Sequence, residues 1–230
     1  MASTGLSKTF SGAGTNNKKG TISFWMKRSG LGTYQQIGLG TAATSGNAGL
    51  QFGTDDRLDM YLASNGGWQG TFETSRVFRD TSAWYHIVVA WDTTQSTASN
   101  RLKFYVNGVQ ETSFVSISYP PQNQVTTLGN AQAHYINYWN NTGYFDGVMS
   151  HIHFIDGTAY DSSYFGSTDS VTGEWKINTS PSVTYGTNGF FILKDGNSVT
   201  DQSGEGNDFT VAGGTLTKTE DCPSNVFPTF

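Results

Sequence analysis

Hydrophobic residues recur at every second position over most of the chain, in short runs separated by Gly, Asn, Asp and Ser. Successive side chains of an extended chain point to opposite faces, so a period of two predicts β-strands. The clearest run is 84–91 (WYHIVVAW), where Trp84, His86, Val88 and Ala90 share one face and Tyr85, Ile87, Val89 and Trp91 the other. Both faces carry large apolar groups, which predicts a central strand covered on both sides. In the next run Leu102, Phe104 and Val106 alternate with Arg101, Lys103 and Tyr105, giving one core face and one wetter face. Asn107-Gly108 supplies the two residues that tolerate positive φ in a type I′ turn, and 109–114 is the returning strand.

Further strands are predicted at 6–10, 21–27, 34–39, 50–52, 58–62, 68–72 and 127–130. Pro120-Pro121 marks a crossing loop, because proline lacks the donor that a paired central strand needs. At 147–155, Val148, Ser150, Ile152 and Phe154 are predicted on one face, with Met149, His151, His153 and Ile155 on the other. Residues 189–194 (GFFILK) form a strong apolar strand. No apolar pattern of helical period lasts beyond a turn or two, leaving one helical turn at 162–165 as the only candidate. The expected fold class is all-β: a jelly-roll-type β-sandwich of two antiparallel sheets with almost no helix, its core centred on Trp84, Phe104 and Ile152. The expected organisation is one domain over 1–230. Core strands fill 1–165, a polar edge-wrapping loop 166–187, a C-terminal hairpin completing the sandwich 188–214 and an extended tail 215–230.

WYHIVVAWD followed by LKFYVNG resembles the central hairpin of laminin-G-like domains, within the concanavalin A-like lectin/glucanase superfamily. KGTISFWMKR (19–28) is similar to the strand that opens that family's sheet, and YFDGVMSHIHFIDG (144–157) to its late strand, so the resemblance covers 5–165. It implies that His86 is structural. ISFWMKRS, the FDG and FIDG pair, and the DxSGxGND pattern of Asp201, Ser203, Gly204, Gly206, Asn207 and Asp208 are most similar to structural proteins of tailed, particularly marine, bacteriophages. This implies a non-enzymatic virion component, a capsid decoration, fibre or tail appendage. Its partners would be other virion proteins in a homo-oligomer or capsid/tail assembly, together with a host surface glycan. In laminin-G-like domains the DxSGxGND pattern lies in the opening hairpin. Here it closes the chain, which implies a permuted strand order within the same sandwich, or else the start of another domain.

Composition narrows the function classes. Aromatic residues at 14%, 28 glycines and only 13% charged residues fit strands joined by many turns and exclude a disordered chain. The net charge of -5 offers no basic field, so no nucleic-acid partner is expected. No run is long and apolar enough for membrane insertion, and residues 1–20 hold no signal-peptide core, so synthesis in a host cytoplasm and a place on the virion are expected. Cys222 is the single cysteine and has no disulfide partner within the chain.

The loop 131–143 (AQAHYINYWNNTG) is uncharged and aromatic. Tyr135, Tyr138 and Trp139 can stack on a sugar, and Asn140 and Asn141 can hydrogen-bond its hydroxyls; the plainer alternative is a loop folded over the sandwich edge. Asp195, Asn197, Asp201 and Asp208 concentrate hard oxygen donors among glycines, which suits calcium, although such clusters also build ordinary turns. His151 and His153 have a spacing that metals use, without an identifiable third ligand. The paired strand carboxylates of glucanases, a GxSxG elbow and a CxxC pair are all missing from the sequence, so the chain is not expected to be an enzyme. A free carbohydrate-binding lectin-like module is the alternative function, and a glycoside hydrolase stands last.

Overall fold

The computed structural model describes residues 4–41, 48–64, 67–137, 143–194, 196 and 198–224. In chain order the strands are β1 (Gly5–Thr9), β2 (Lys19–Arg28), β3 (Gln35–Thr41), β4 (Ala48–Phe52), β5 (Arg57–Ser64), β6 (Gly67–Val77), β7 (Tyr85–Asp92) and β8 (Leu102–Val106). They continue with β9 (Val109–Gln110), β10 (Phe114–Ser118), β11 (Ala133–Ile136), β12 (Gly147–Asp156), β13 (Gly166–Thr168), β14 (Trp175–Ile177), β15 (Phe190–Ile192) and β16 (Thr210–Gly213). The only helical elements among the described residues are two single 3-10 turns, at Ala98–Asn100 and at the expected Ser162–Tyr164.

One sheet has eight strands in the order β10-β6-β5-β4-β3-β11-β1-β16, and the other has six in the order β15-β12-β2-β7-β8-β9. Every pairing between these strands is antiparallel. The alternation read from the sequence builds the space between them. Ile22, Phe24, Met26, Ile87, Val89, Trp91, Phe104, Ile152 and Phe154 face inward from the smaller sheet, against Ile37, Leu50, Phe52, Met60, Leu62, Phe72 and Ile136 from the larger. Phe72 and Phe104 meet across the layers with ring centroids 4.8 Å apart. Each such side chain, once fully buried, contributes roughly 1.5–3 kcal/mol.

The smaller sheet is covered on its outer side too, as the doubly apolar β7 required. Val88, Tyr105, Ile155 and Phe191 pack there against Phe165 and Tyr185. The polar segment 166–187 carries the β13–β14 hairpin and lays Trp175 on this face. The Trp175 indole Nε1 donates to His86 Nδ1 at 3.0 Å, and His86 in turn bonds Ser23 Oγ through Nε2 at 2.9 Å.

Four expectations change. Trp84 does not join Phe104 and Ile152 in the middle: it precedes β7, is half-buried, and shares the face of His86 and Val88, which is the outer one. In β12 the register shifts between Ser150 and His153, and His151 takes a left-handed φ of 48°. This extra residue puts Met149, opposite Met26, on the core side with Ile152, and it breaks the strict alternation predicted there. Residues 127–130 form a hydrogen-bonded turn, and the strand lies later, as β11, within the segment read as a loop. Finally, β15 and β16 do not pair as a hairpin. β15 adds to β12 at one edge of the smaller sheet, and β16 adds to β1 at one edge of the larger. Phe209, just before β16, sits in the core 4.6 Å from Phe190, so the connection bridges the two layers.

Candidate functional site: a cavity between the strand ends

A cavity of about 750 Å3 opens beside Thr4 and Leu6, mainly between four distant stretches: 30–35 after β2, 136–137 with 143–150 around the start of β12, 193–194 with 196 after β15, and 215–222 beyond β16. Its first wall is held rigidly. Arg28, the last residue of β2, is buried at 1% exposure, donates from Nη1 to the Phe78 carbonyl at 2.7 Å and from Nη2 to Asp56 Oδ1 at 3.1 Å, and stacks 3.9 Å over the Phe52 ring. Asp56 Oδ1 also accepts from the Gly32 N–H at 2.8 Å. The N–H groups of Ser29 and Gly30 both donate to the Asp146 carbonyl, tying this loop to the lead into β12. Pinned on both sides, the loop presents Leu31 and Tyr34 outward, at 39% and 61% exposure, and turns Gln35 inward at 2%.

Gln35 donates from Nε2 to the Gly30 carbonyl at 3.1 Å and to Thr33 Oγ1 at 3.4 Å, while its Oε1 is buried without a partner. Asn137 stands at the end of β11 with a left-handed φ of 67°, a conformation asparagine tolerates. Its N–H donates to the Ile37 carbonyl and its Nδ2 to the Thr4 carbonyl, each at 2.7 Å, and its Oδ1 is likewise buried and unpartnered. The fourth wall is the segment 215–222, seated by Leu216 against the core and clipped at Asp221. That carboxylate accepts from Lys27 Nζ at 2.6 Å and from Trp84 Nε1 at 2.7 Å. The bonds from Lys27 and then Trp84 hold it below the usual carboxylate range.

The predicted site residues distribute unevenly. Tyr135 pairs with Ser7 and Gly40 in β11, faces opposite to buried Ile136, and does not line the cavity. Tyr138, Trp139, Asn140 and Asn141 lie outside the described residues, between Asn137 and Gly143, which both border the cavity. Asp195 and Asn197 also lie outside them. The oxygens of Asp201 are engaged as turn acceptors: Oδ1 from the N–H groups of Phe191 and Ser203 at 2.8 and 2.9 Å, Oδ2 from Ser203 Oγ and the Asn207 N–H at 2.7 and 2.9 Å. Asp208 Oδ1 accepts from the Asp201 N–H at 2.7 Å. These two carboxylates therefore build the turn between the sheets, and no group of three or more His, Cys, Asp or Glu that could hold a metal occurs among the described residues.

His151 and His153 are buried at 2% each rather than on a solvent face; His151 bonds Ser150 Oγ at 2.7 Å, and His153 bonds the Tyr185 hydroxyl at 2.9 Å. His86 is structural, stacked between Trp25 and Trp175 and pushed by burial down to about 3. On the outer face of the larger sheet, Asp59 stands directly across from Glu73. Burial raises Asp59 to about 6, against a bond from Gln51 and with the help of Glu73 and Asp55.

Sequence reasoning did not single out Tyr34, Gln35 or Asn137. The one signal was that Asn137 belongs to the uncharged loop already noted. No helix among the described residues is long and apolar enough to cross a membrane.

Residues 4–159 match the family model Laminin_G_3, described as the Concanavalin A-like lectin/glucanases superfamily. No curated protein matches significantly. Among solved structures, a heptameric SAP-like pentraxin from Limulus polyphemus aligns with a TM-score of 0.49 and 13% identity, over 69% of this chain and 72% of the pentraxin. Domain 4 of an extracellular arabinanase from Geobacillus stearothermophilus, solved with arabinotriose, aligns with a TM-score of 0.45 and 16% identity over 64% of each chain. Domains LG4-5 of the mouse laminin alpha1 chain align with a TM-score of 0.40 and 14% identity, over 70% of this chain and 44% of that one. With two thick antiparallel sheets and a family match over 4–159, the chain belongs to the laminin-G-like family of the Concanavalin A-like lectin/glucanases superfamily.

Proposed function

We propose that this chain is a non-enzymatic carbohydrate-binding sandwich whose saccharide site is the cavity at the strand ends, carried as a structural appendage of a virion. The carrying observation is the cavity itself. At about 750 Å3 it accommodates one or two sugar rings, its wall mixes apolar Leu31 and Leu216 with amide side chains, and Tyr34 stands exposed at its edge. An exposed aromatic beside polar acceptors suits a sugar, which has an apolar ring face and a hydroxyl rim. The virion placement rests on the phage-like wording of ISFWMKRS and of the segment from Asp201 to Asp208. The partners that follow are other virion proteins and a host surface glycan.

The test is a glycan array probed with the full chain, with and without calcium, followed by chemical-shift mapping of any hit. Shifts clustered at 30–35 and 136–137 are expected, and a blank array defeats the binding reading. Antibody labelling of phage particles checks the virion placement, and particles that never carry the label defeat it. One observation favours a hydrolase instead, the Asp59–Glu73 carboxyl pair with one member raised to about 6. On the non-enzymatic reading laminarin, agar and alginate release no reducing ends; turnover abolished by Asp59→Asn would make the protein an enzyme.

A further inference from the structure

We propose that Lys27 and Trp84 form a carboxylate subsite at the edge of the cavity, filled in the free chain by its own Asp221, and that the saccharide taken here is an acidic one whose uronate group displaces Asp221. The inference rests on the cavity being the saccharide site. The donors of this subsite and its acceptor come from very different parts of the fold. The β2–β7 register pairs Met26 with Tyr85, so one step further sets Lys27 beside Trp84 at the strand ends. On its other side Lys27 pairs with Val148 of β12, which lines the cavity. The two donors are therefore positioned by the adjoining strands β12, β2 and β7 of the smaller sheet. They converge on one carboxylate: Lys27 Nζ donates to Asp221 Oδ2 at 2.6 Å and Trp84 Nε1 to Asp221 Oδ1 at 2.7 Å. One donor for each oxygen is an arrangement that receives a carboxylate of any origin.

The acceptor, by contrast, sits on a segment that can leave. From Thr217 to Cys222 no main-chain hydrogen bond joins the chain to either sheet among the described residues. Gly213-Gly214, with Gly214 at φ 65°, stands where the segment departs from β16, and glycine gives the chain freedom to turn there. The far end is held by the Asp221 clip, whose carboxylate is 44% exposed, and so open a pair contributes little to folding. Charge favours the exchange. The chain carries 13 basic against 18 acidic residues, yet the charged residues lining the cavity are Lys194 and Lys218 with Asp146 and Asp221. With Asp221 swung out, Lys27, Lys194 and Lys218 adjoin the space against Asp146 alone, a local balance that draws an anion. A uronate bears its carboxylate on a sugar ring, so one molecule fills both the cavity and the place of Asp221.

The experiment uses the full chain with tetragalacturonate and tetramannuronate, each beside its carboxyl-reduced, neutral counterpart. Calorimetry gives the affinities, and the Trp84 indole N–H signal, assigned with Trp84→Phe, is followed by NMR. A uronate should bind about fivefold more tightly than its reduced form and move the Trp84 indole signal. Asp221→Ala removes the internal competitor and leaves both donors: release quickens, association quickens more, and the uronate should tighten about fivefold. Lys27→Met, which keeps the aliphatic stem, should abolish the lead of the uronate over its reduced form. Circular dichroism establishes that the variants are folded, and the reduced probes test the same point without any variant. If binding maps to the cavity but uronate and reduced form bind alike, or Asp221→Ala fails to tighten the uronate, the inference fails and the proposed site stands. If neither form binds and the glycan array is blank, or shifts map away from the cavity, the proposed site falls and takes the inference with it.

Discussion

Asp56 holds the first wall of the cavity from a left-handed backbone at φ 64°, and its two oxygens are shared among three groups: the Gly32 N–H, Arg28 and Arg79. Burial alone would raise its pKa, but the Gly32 bond, then Arg79 and Arg28, outweigh it and the net shift is downward. Arg28 moves down through burial despite Asp56, consistent with the unpartnered Nε it keeps in the interior. Breaking one side of such a pair leaves a buried charge uncompensated, so Asp56→Asn should cost about 3–5 kcal/mol. The urea midpoint measures this, and Arg28→Met added to Asp56→Asn should recover part of the loss; equal midpoints for wild type and Asp56→Asn would refute the account. Asp59 shows the opposite sign. Its carboxyl is raised to about 6, so the charged form is disfavoured in the fold and at pH 7 it costs about 1–2 kcal/mol, a cost that disappears as the pH falls towards 4. Asp59→Asn should raise Tm by about 2–4 °C at pH 7, with the gain fading near pH 4.

At the scale of elements, the segment 215–222 is the wall of the cavity built least from the core. It is held by Leu216, by the Thr4 hydroxyl bonded to the Thr215 carbonyl, and by the clip of Asp221 to Lys27 and Trp84. An exposed ion pair contributes about 0–1 kcal/mol, so Asp221→Ala should barely move the unfolding midpoint. It should nevertheless red-shift Trp84 emission and speed saccharide release, because the wall is freed. The same elements show what was legible in the sequence. Alternation located β2, β7, β8, β12 and β15, since a period of two is a property of the strand itself. It could not say which face of β7 was inner, because both are covered, and that is why Trp84 was misplaced. Nor did it reveal the bulge at His151, where a non-glycine residue takes φ 48° with no marker in the sequence. Adjacency suggested that β15 and β16 pair, whereas the turn organised by Asp201 carries the chain from one sheet to the other. The cavity was out of reach because its walls come from four segments, and Gln35 reads in sequence as one more strand residue.

Across the whole molecule, burial of imidazoles sets the pH response. His86 is pushed down to about 3, chiefly by burial and then by His151; His134 is pushed down to about 4 by burial, against its bond to the Gln132 carbonyl. His153 lies well below its ordinary value for the same first reason, with His151, His86 and Lys194 adding to it. Two of these rings are committed to the neutral form by a partner that requires it: Nδ1 of His86 accepts from Trp175, and Nε2 of His134 accepts from the Gly129 N–H. In the unfolded chain a histidine takes up its proton near 6.5, so below that pH the unfolded state binds protons the native state refuses. Stability therefore falls as pH drops below about 6.5 and keeps falling until the folded values are reached, by roughly 2 kcal/mol at pH 5 for each of His86 and His134, with His153 acting in the same direction. Relief at Asp59 runs the other way and is smaller, so the net loss between pH 7.5 and pH 5 is at least about 3 kcal/mol. Urea-unfolding midpoints at the two pH values measure it. His86 and His153 bond Trp175 and Tyr185 of the segment laid over the smaller sheet, so that cover should loosen first, seen as exchange of the Trp175 indole proton ahead of global unfolding. A midpoint unchanged between pH 7.5 and pH 5 would mean that these rings are not held neutral, and the packing described for the outer face of the smaller sheet would be wrong.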